Sequence, residues 1–206
     1  MDAIVAWFEQ SDRTLPWREL ELAKIDAYEV LVSEFMLQQT QSSRVGPYYA
    51  AWLEKWPTVY ALAAAPQGEV ITAWGRLGYP RRAKWLHEAA QRIVEEFAGT
   101  VPREVEVLET FRGIGPYTAR AVAVFAYGEW HPVIDTNVRR VLARWQRGEE
   151  RATVPLKSDY ELLTALLPED NSTVRLLGYG VMELGATVCT ARAPACDVCP
   201  LKHTCA

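Results

Sequence analysis

The segment LETFRGIGPYTA, residues 108–119, decides the fold more than any other stretch of the sequence. Gly113 and Gly115 flank one apolar residue, and glycine permits a tight turn with a positive φ angle. Pro116 suits the first position of a new helix, so the segment predicts a helical hairpin. Backbone N–H groups at the start of the second helix could bind an anion such as phosphate, although a plain corner between two helices would have the same pattern.

The rest of the sequence also has the periodicity of α-helices. Apolar residues recur at spacings of three and four within residues 28–35, 86–94 and 162–167, and glycine and proline residues separate such segments. No alternating pattern typical of strands persists. We therefore expect an all-α protein of about ten short helices.

All four cysteines lie close to the C-terminus, with the spacing Cys189-x6-Cys196-x2-Cys199-x5-Cys205. Such crowding is unusual for disulfides in a cytosolic protein, whereas four thiolates that converge on one point suit a metal site. Zinc sites usually combine two C-x2–4-C pairs, and this sequence has one such pair. The spacing favours a four-iron four-sulfur cluster with one cysteine per iron, and a structural zinc site is the alternative.

Two carboxylates occupy unlike environments in the sequence. Glu34 lies in the apolar segment 30–37, where burial would raise its pKa as a general acid requires. The alternative is a carboxylate on the solvent-exposed edge of that helix. Asp135 precedes the helical segment 136–142 at a position typical of an N-cap, and capping alone would explain its presence. A capping carboxylate stays ionised, which would also suit it to stabilising a cation.

Composition and charge limit the class of protein. The 206 residues are 50% hydrophobic and 23% charged, and the apolar run 121–127 is far too short to span a bilayer. The N-terminus lacks the features of a signal peptide, so we expect a cytoplasmic protein with no membrane partner. The net charge of −4 argues mildly against nucleic acid. Two basic groups, Arg81-Arg82-Lys84 and Arg139-Arg140-Arg144, are on their own interpreted as solvated helix faces.

Taken together and in this order, the segments resemble the helix-hairpin-helix superfamily of base-excision DNA glycosylases. Within that superfamily they look most like the catalytic region of MutY-type adenine DNA glycosylases, over almost the whole chain. The matching segments are LPWR at 15–18, SEFMLQQTQ at 33–41, LGY at 77–79, GIGPY at 113–117, IDTNV at 134–138, MELGA at 182–186 and the cysteine cluster. The combination of the 33–41 segment with the cysteine spacing is highly specific.

The resemblance implies an all-α fold of two helical subdomains with a DNA-binding cleft between them. One domain of six helices, residues 25–130, would contain the helix-hairpin-helix motif. A second domain, residues 1–24 plus 131–206, would carry the [4Fe-4S] cluster on a loop that faces DNA. The protein would act as a monomer on double-stranded DNA that contains a mismatch, in association with the nucleoid.

The resemblance also implies catalytic roles for three residues. Glu34 would protonate the adenine at N7, and Asp135 would stabilise the oxocarbenium-like sugar and support attack by water. Tyr117 would assist beside them. Relatives such as endonuclease III place at the position of Tyr117 a lysine that attacks the sugar and leads to strand cleavage, and a phenol cannot form a Schiff base. We therefore expect a monofunctional glycosylase that hydrolyses adenine paired with 8-oxoguanine or guanine.

The same resemblance implies contacts with the substrate and with DNA. Gln38 or Gln39, together with Tyr79, would wedge into the base stack from which the adenine is extruded. Gly113 and Gly115 would present backbone N–H groups to a phosphate. The further candidates for the adenine pocket or the DNA surface are Leu15, Trp17, Arg18, Thr40 and Glu183.

Three features depart from the pattern of the family. MutY-type proteins usually continue past the cluster into a C-terminal domain that recognises 8-oxoguanine, whereas this sequence ends at Ala206, so the residues present do not predict the opposite-base preference. Gly78-Tyr79-Pro80 replaces the usual Gly-Tyr-Tyr and stiffens the loop. Asp135-Thr136-Asn137 replaces Asp-Gly-Asn and keeps the carboxylate. The alternative functions are a thymine or uracil mismatch glycosylase of the same fold, a non-catalytic lesion-binding module and an electron-transfer protein.

Overall fold

A computed structural model of the protein describes residues 2–149 and 156–206. Regular structure in these ranges is entirely helical, which confirms the all-α prediction. The α-helices are α1 Asp2–Glu9, α2 Ala27–Leu37, α3 Ser42–Lys55, α4 Val59–Ala63, α5 Gln67–Trp74, α6 Arg81–Phe97, α7 Val105–Leu108, α8 Pro116–Tyr127, α9 Thr136–Arg147, α10 Lys157–Leu166 and α11 Asn171–Thr187. Short 3-10 turns occupy Leu22–Lys24, Gly75–Leu77, Cys196–Val198 and Lys202–Thr204. Among the described helices, none has both the length and the apolar character that crossing a bilayer requires.

The chain forms two compact units. The hairpin unit is Thr14–Tyr127, and the cysteine unit combines Met1–Arg13 with Gly128–Ala206. The resemblance predicts boundaries after residues 24 and 130, whereas the two units divide after Arg13 and Tyr127. The first boundary lies earlier because Trp17, which is 8% exposed, packs into the core of the hairpin unit.

The hairpin unit is built around α2. This helix begins at Asp26, whose side chain caps it by accepting a hydrogen bond of 2.7 Å from the backbone N–H of Tyr28. Residues 30–36 of α2 are all buried, and the helix packs against α3, α6 and α8. Such a helix, apolar nearly all round, is stable only inside a core. Glu34 therefore belongs to the most enclosed element of its unit.

The predicted hairpin is present between α7 and α8. Gly113 has φ of +86°, and a Cβ atom there would lie 2.6 Å from Cε3 of Trp85, so both the backbone and the available space require glycine. Gly115 does not adopt a positive φ angle, and a Cβ atom there would face open space. Pro116 begins α8, as the sequence predicts. The positive φ expected of this glycine pair thus occurs at one position.

The cysteine unit is organised by α11, which packs against α1 and α9. At Gly185 the helix approaches the first turn of α9 so closely that a Cβ atom would lie 2.7 Å from Cβ of Asn137. The apolar contacts that hold these helices together include Val138, Leu142 and Leu184, all nearly inaccessible to solvent. The packing fixes the start of α9, where Asp135 is located.

Candidate functional sites

The two units divide the predicted site residues between them. The hairpin unit contains Leu15, Trp17, Arg18, Glu34, Gln38, Gln39, Thr40, Tyr79, Gly113, Gly115 and Tyr117. The cysteine unit contains Asp135, Glu183, Cys189, Cys196, Cys199 and Cys205.

Glu34 is a buried carboxyl group on α2. The residue is 6% exposed, while Val32, Phe35 and Met36 around it are not exposed at all. The preceding Ser33 donates a hydrogen bond of 2.8 Å from its hydroxyl to the carbonyl oxygen of Val30. Of the two interpretations of Glu34, burial in an apolar helix is confirmed and the solvent-exposed edge is wrong.

Tyr117 lies in the first turn of α8 and is half-buried. Its helix packs against α2, which carries Glu34. Gln38, at the end of α2, joins the two elements because its Nε2 donates to the carbonyl oxygen of Gly113 at 3.0 Å and to Oγ1 of Thr118 at 3.2 Å. These bonds engage the amide of Gln38 with the hairpin, whereas the neighbouring Gln39 is exposed.

Gln39 and Tyr79 share an unusual backbone conformation. Their φ angles are +54° and +48°, in the left-handed region that residues other than glycine seldom adopt. The Tyr79 side chain is 51% exposed. Two exposed side chains held on strained backbone are typical of a functional surface, because folding alone gains nothing from the strain.

The segment 15–18 mainly supports the core of the hairpin unit. Trp17 packs edge-to-face against Tyr49, with ring centroids 5.9 Å apart, and Leu15 packs against the same core. A tight turn joins the ends of the segment, because the N–H of Arg18 donates to the carbonyl oxygen of Leu15 at 2.9 Å. Arg18 itself is half-buried.

Asp135 is the N-cap of α9, as the sequence predicts. One carboxylate oxygen accepts a hydrogen bond of 2.7 Å from the N–H of Val138, and the other accepts one of 3.0 Å from Nδ2 of Asn137. Burial raises the pKa of Asp135 above its ordinary value, and these hydrogen bonds offset the rise only in part. The pKa therefore moves opposite to the direction that capping alone would produce.

Arg140 connects the start of α9 with the first cysteine. Its Nη2 donates to Oδ1 of Asn137 at 2.9 Å, and its Nε donates to the carbonyl oxygen of Cys189 at 2.8 Å. Arg144 donates to the carbonyl oxygen of Thr190 at 2.7 Å and to Sγ of Cys189 at 3.6 Å. The interpretation of these arginines as a solvated helix face is wrong, because they anchor the cysteine loop.

Glu183 is paired within its own unit. The residue is 1% exposed, and Nη1 of Arg13 donates to its two carboxylate oxygens at 3.0 and 2.9 Å. This ion pair neutralises a carboxylate on the buried face of α11. The contact links the N-terminal segment to α11, a structural role that the sequence does not indicate.

The four cysteines are suited to a thiolate-bound cluster. None of them forms a disulfide, and they lie after α11 and around the two C-terminal 3-10 turns. In the described ranges, no three His, Cys, Asp or Glu side chains converge on a single ion. A four-iron cluster does not require such convergence, because each iron takes one thiolate. The cysteine loop is attached to α9, since the indole N–H of Trp145 on that helix donates to Oγ1 of Thr204 at 3.0 Å.

Two protein families match this chain, one over most of its helices and one over the cysteine loop. Residues 32–164 match the HhH-GPD superfamily of base excision DNA repair proteins. The chain belongs to this superfamily. Residues 189–205 of this HhH-GPD protein match the iron-sulfur binding domain of endonuclease III, which confirms the prediction of an iron–sulfur cluster over zinc.

Within the HhH-GPD superfamily, the chain is similar to adenine DNA glycosylases. It is 52% identical to the adenine DNA glycosylase of Mycolicibacterium smegmatis, over 97% of this chain and 67% of that protein. It is 40% identical to the human adenine DNA glycosylase, over 98% of this chain and 38% of that protein. Among solved structures, a thermostable thymine-DNA glycosylase has a TM-score of 0.87 at 26% identity, and the match covers 100% of this chain and 93% of that one. The chain thus spans about two-thirds of the mycobacterial relative and much less of the human one.

Arg82 is a buried residue whose place in the fold the charge pattern of the sequence does not predict. The residue is 3% exposed, so the interpretation of Arg81-Arg82-Lys84 as a solvated face is wrong at its central position. One available signal was its register, because Arg82 shares a helical face with Leu86, Ala89 and Ile93, which are all buried. An arginine on the apolar face of an amphipathic helix needs acceptors from elsewhere in the fold.

Proposed function

We propose that the chain is a monofunctional DNA glycosylase that hydrolyses the N-glycosidic bond of adenine paired with 8-oxoguanine or guanine. The observation that carries the proposal is the buried carboxyl group of Glu34 on α2, in a chain 52% identical to an adenine DNA glycosylase. Burial disfavours the ionised form of a carboxyl group, so a buried carboxyl group can act as a general acid near neutral pH.

The reaction divides between two carboxyl groups. Glu34 donates a proton to N7 of the adenine, the bond between C1′ and N9 breaks, and N9 keeps the bonding electrons. The base leaves neutral because the proton at N7 compensates for those electrons. Asp135, ionised, stabilises the positive charge on the sugar and accepts a proton from the water that adds to C1′. Tyr117 assists the reaction, and without a lysine at its position no Schiff base forms.

The hairpin and the loops around Gln39 and Tyr79 contact the DNA. Backbone N–H groups at the start of α8 bind a phosphate, and the open space beside Gly115 supports a close approach of that group. Gln39 and Tyr79 fill the gap that the extruded nucleotide leaves. Between Gln38 and Gln39, the second is the better candidate, since the amide of Gln38 is bonded to the hairpin. Extrusion costs a few kcal/mol, and less for a mispaired base.

The cysteine unit provides the second carboxylate and the cluster. Cys189, Cys196, Cys199 and Cys205 hold a [4Fe-4S] cluster, whose contribution when bound is to cross-link the loop through four thiolates. The loop presents the exposed Lys202 and His203 to DNA. The protein acts as a monomer on double-stranded DNA in the nucleoid.

A thymine or uracil mismatch glycosylase is the second candidate. The TM-score of 0.87 to a thymine-DNA glycosylase favours it, because that likeness extends over the whole chain. The identity in that comparison is 26%, about half the identity to the mycobacterial adenine DNA glycosylase. One panel of duplexes containing A·8-oxoguanine, A·G, T·G and U·G separates the two candidates. Release of thymine or uracil without adenine would overturn the first proposal.

Glu34→Gln tests the general acid. We expect single-turnover release of adenine to fall at least about 100-fold, because the amide has no acidic proton to donate. Binding to the same duplex should persist, since the amide keeps the size of the side chain. Glu29→Gln, the same change in the first turn of α2, is the matched control and should retain activity. Undiminished turnover in Glu34→Gln would exclude Glu34 as the acid.

A further inference from the structure

The guanidinium group of Arg82 ends inside the hairpin unit, at the C-terminus of α2. Its Nη1 donates hydrogen bonds of 3.0 and 3.2 Å to the carbonyl oxygens of Phe35 and Met36. The same nitrogen donates to the carbonyl oxygen of Gln38. Carbonyl groups in the last turn of a helix have no partner within the helix and carry partial negative charge, so a cation there is favourable.

The second terminal nitrogen of Arg82 bonds to Leu77 and Gly78, which precede Tyr79, and to Thr40, which follows Gln39. Nη2 donates to the carbonyl oxygens of Leu77 and Gly78 at 2.9 and 3.0 Å, and to Oγ1 of Thr40 at 3.0 Å. One buried side chain thus bonds the loop after α2, which contains Gln39, and the loop before α6, which contains Tyr79, and all acceptors of these hydrogen bonds are neutral oxygens. Trp74 adds to this enclosure, because its ring centroid lies 5.1 Å from the Cζ atom of Arg82.

The acceptors include the residues directly before Gln39 and Tyr79. Gln38 precedes Gln39, and Gly78 precedes Tyr79, and the carbonyl groups of both preceding residues point to Arg82. The orientation of a carbonyl group is coupled to the φ angle of the next residue, because the two share one peptide plane. A donor fixed at that carbonyl group therefore holds the left-handed conformation of the following residue.

We propose that Arg82 is a positioning residue that holds Gln39 and Tyr79 together in the conformation needed to enter the base stack. The inference rests on the proposed function, in which these two side chains replace the extruded nucleotide. An arginine suits the task because its planar fork directs separate N–H groups to two loops. A lysine in its place would keep the charge, but its single ammonium group has three donors at one point and would serve one loop at a time.

Arg82→Lys therefore tests positioning separately from charge. The readout is the fluorescence of 2-aminopurine placed as the target base opposite guanine, because this base brightens when it leaves the stack. We expect the variant to bind the duplex but to lose most of the wild-type fluorescence increase, with release of adenine slowed by up to about 100-fold. The matched control is Arg175→Lys, which changes another arginine of 3% exposure, on α11 in the cysteine unit. It should lower the melting temperature without loss of the fluorescence increase.

A double-mutant cycle with Tyr79→Ala shows whether Arg82 acts through Tyr79. If it does, Arg82→Lys should add little to the loss that Tyr79→Ala already causes, so the two effects are not additive. Thr40→Val, which removes one acceptor of Nη2, serves if Arg82→Lys does not fold, and a smaller loss of fluorescence is expected. A full fluorescence increase in folded Arg82→Lys, or in Thr40→Val, would overturn the positioning role. Failure of the wild-type protein to extrude or release adenine would instead refute the proposed function.

Discussion

Glu34 and Asp135 are two carboxyl groups that the fold places in unlike surroundings. Glu34 lies in the middle of a helix, next to Phe35 and Met36, which are fully buried. Asp135 lies at a helix start, half-buried, with hydrogen bonds from the backbone of Val138 and the side chain of Asn137. Burial raises the pKa of Asp135, whereas these hydrogen bonds lower it. The proposed reaction needs a proton from Glu34 and a negative charge on Asp135, and at Asp135 the hydrogen bonds favour that charge while burial opposes it.

Asp135→Asn should produce the largest effect, because it removes the charge and keeps the cap. Asparagine is as good an N-cap as aspartate, so the free energy of unfolding should change by less than about 0.5 kcal/mol. The single-turnover rate of adenine release should fall by about 1000-fold. Asp170→Asn, at the N-cap of α11, is the same change at another cap of the cysteine unit and should retain activity. An active Asp135→Asn enzyme would show that the charge is dispensable.

Loss of the cluster should destabilise the cysteine unit, which contains Asp135, far more than the hairpin unit, which contains Glu34. Cys199→Ser should abolish absorbance at about 400 nm and remove bound iron. Hydrogen exchange should then accelerate in residues 188–206, while amides of α2 stay protected, because metal binding stabilises only the folded form of its own loop. Val198→Ser is the control, since Val198 is 66% exposed and its replacement keeps every cysteine. Equal acceleration in both units would mean that they do not unfold separately.

The smallest effect should be a shift in the pH dependence of the reaction. Asn137 donates to the Asp135 carboxylate and thereby lowers its pKa, so Asn137→Ala should raise that pKa further. Because Asp135 acts ionised, the rate declines as the pH falls through this pKa, and the acid limb should move to higher pH by up to about one unit. The rate on the alkaline side should not change. Asn171→Ala, in the first turn of α11, is the control, and a shift toward lower pH would contradict the account.

Local features of the site could be predicted from the sequence because their causes are local. The cap at Asp135 and the start of α8 at Pro116 follow from side chains that act on backbone within a few residues. The cysteine spacing likewise indicated its cluster, since four ligands within one short segment restrict the possible metal sites. The sequence does not decide whether Glu34 is buried, because one apolar segment does not reveal which faces of its helix are covered.

Arg82 and Arg140 could not be predicted because their partners are distant in sequence. Arg82 joins Leu77 and Gly78, which lie a few positions before it, to residues more than 40 positions earlier, and Arg140 bonds to Cys189, which lies 49 positions later. A buried arginine becomes acceptable only when a fold directs several carbonyl oxygens to one point. The register of Arg82 indicates that it is buried, but the spacing of charges on a single helix contains no information about such convergence.

Gly185 makes the position of Asp135 depend on a residue that takes no part in chemistry. Because Gly185 has no side chain, the first turn of α9 packs directly against the backbone of α11. An added Cβ atom would lie 2.9 Å from the carbonyl oxygen of Asn137. Any side chain at 185 would therefore displace the turn that Asp135 caps. Substitutions at Gly185 should therefore reduce activity more than substitutions at exposed positions of α11. Gly185 would be sensitive to substitution although it carries no functional group.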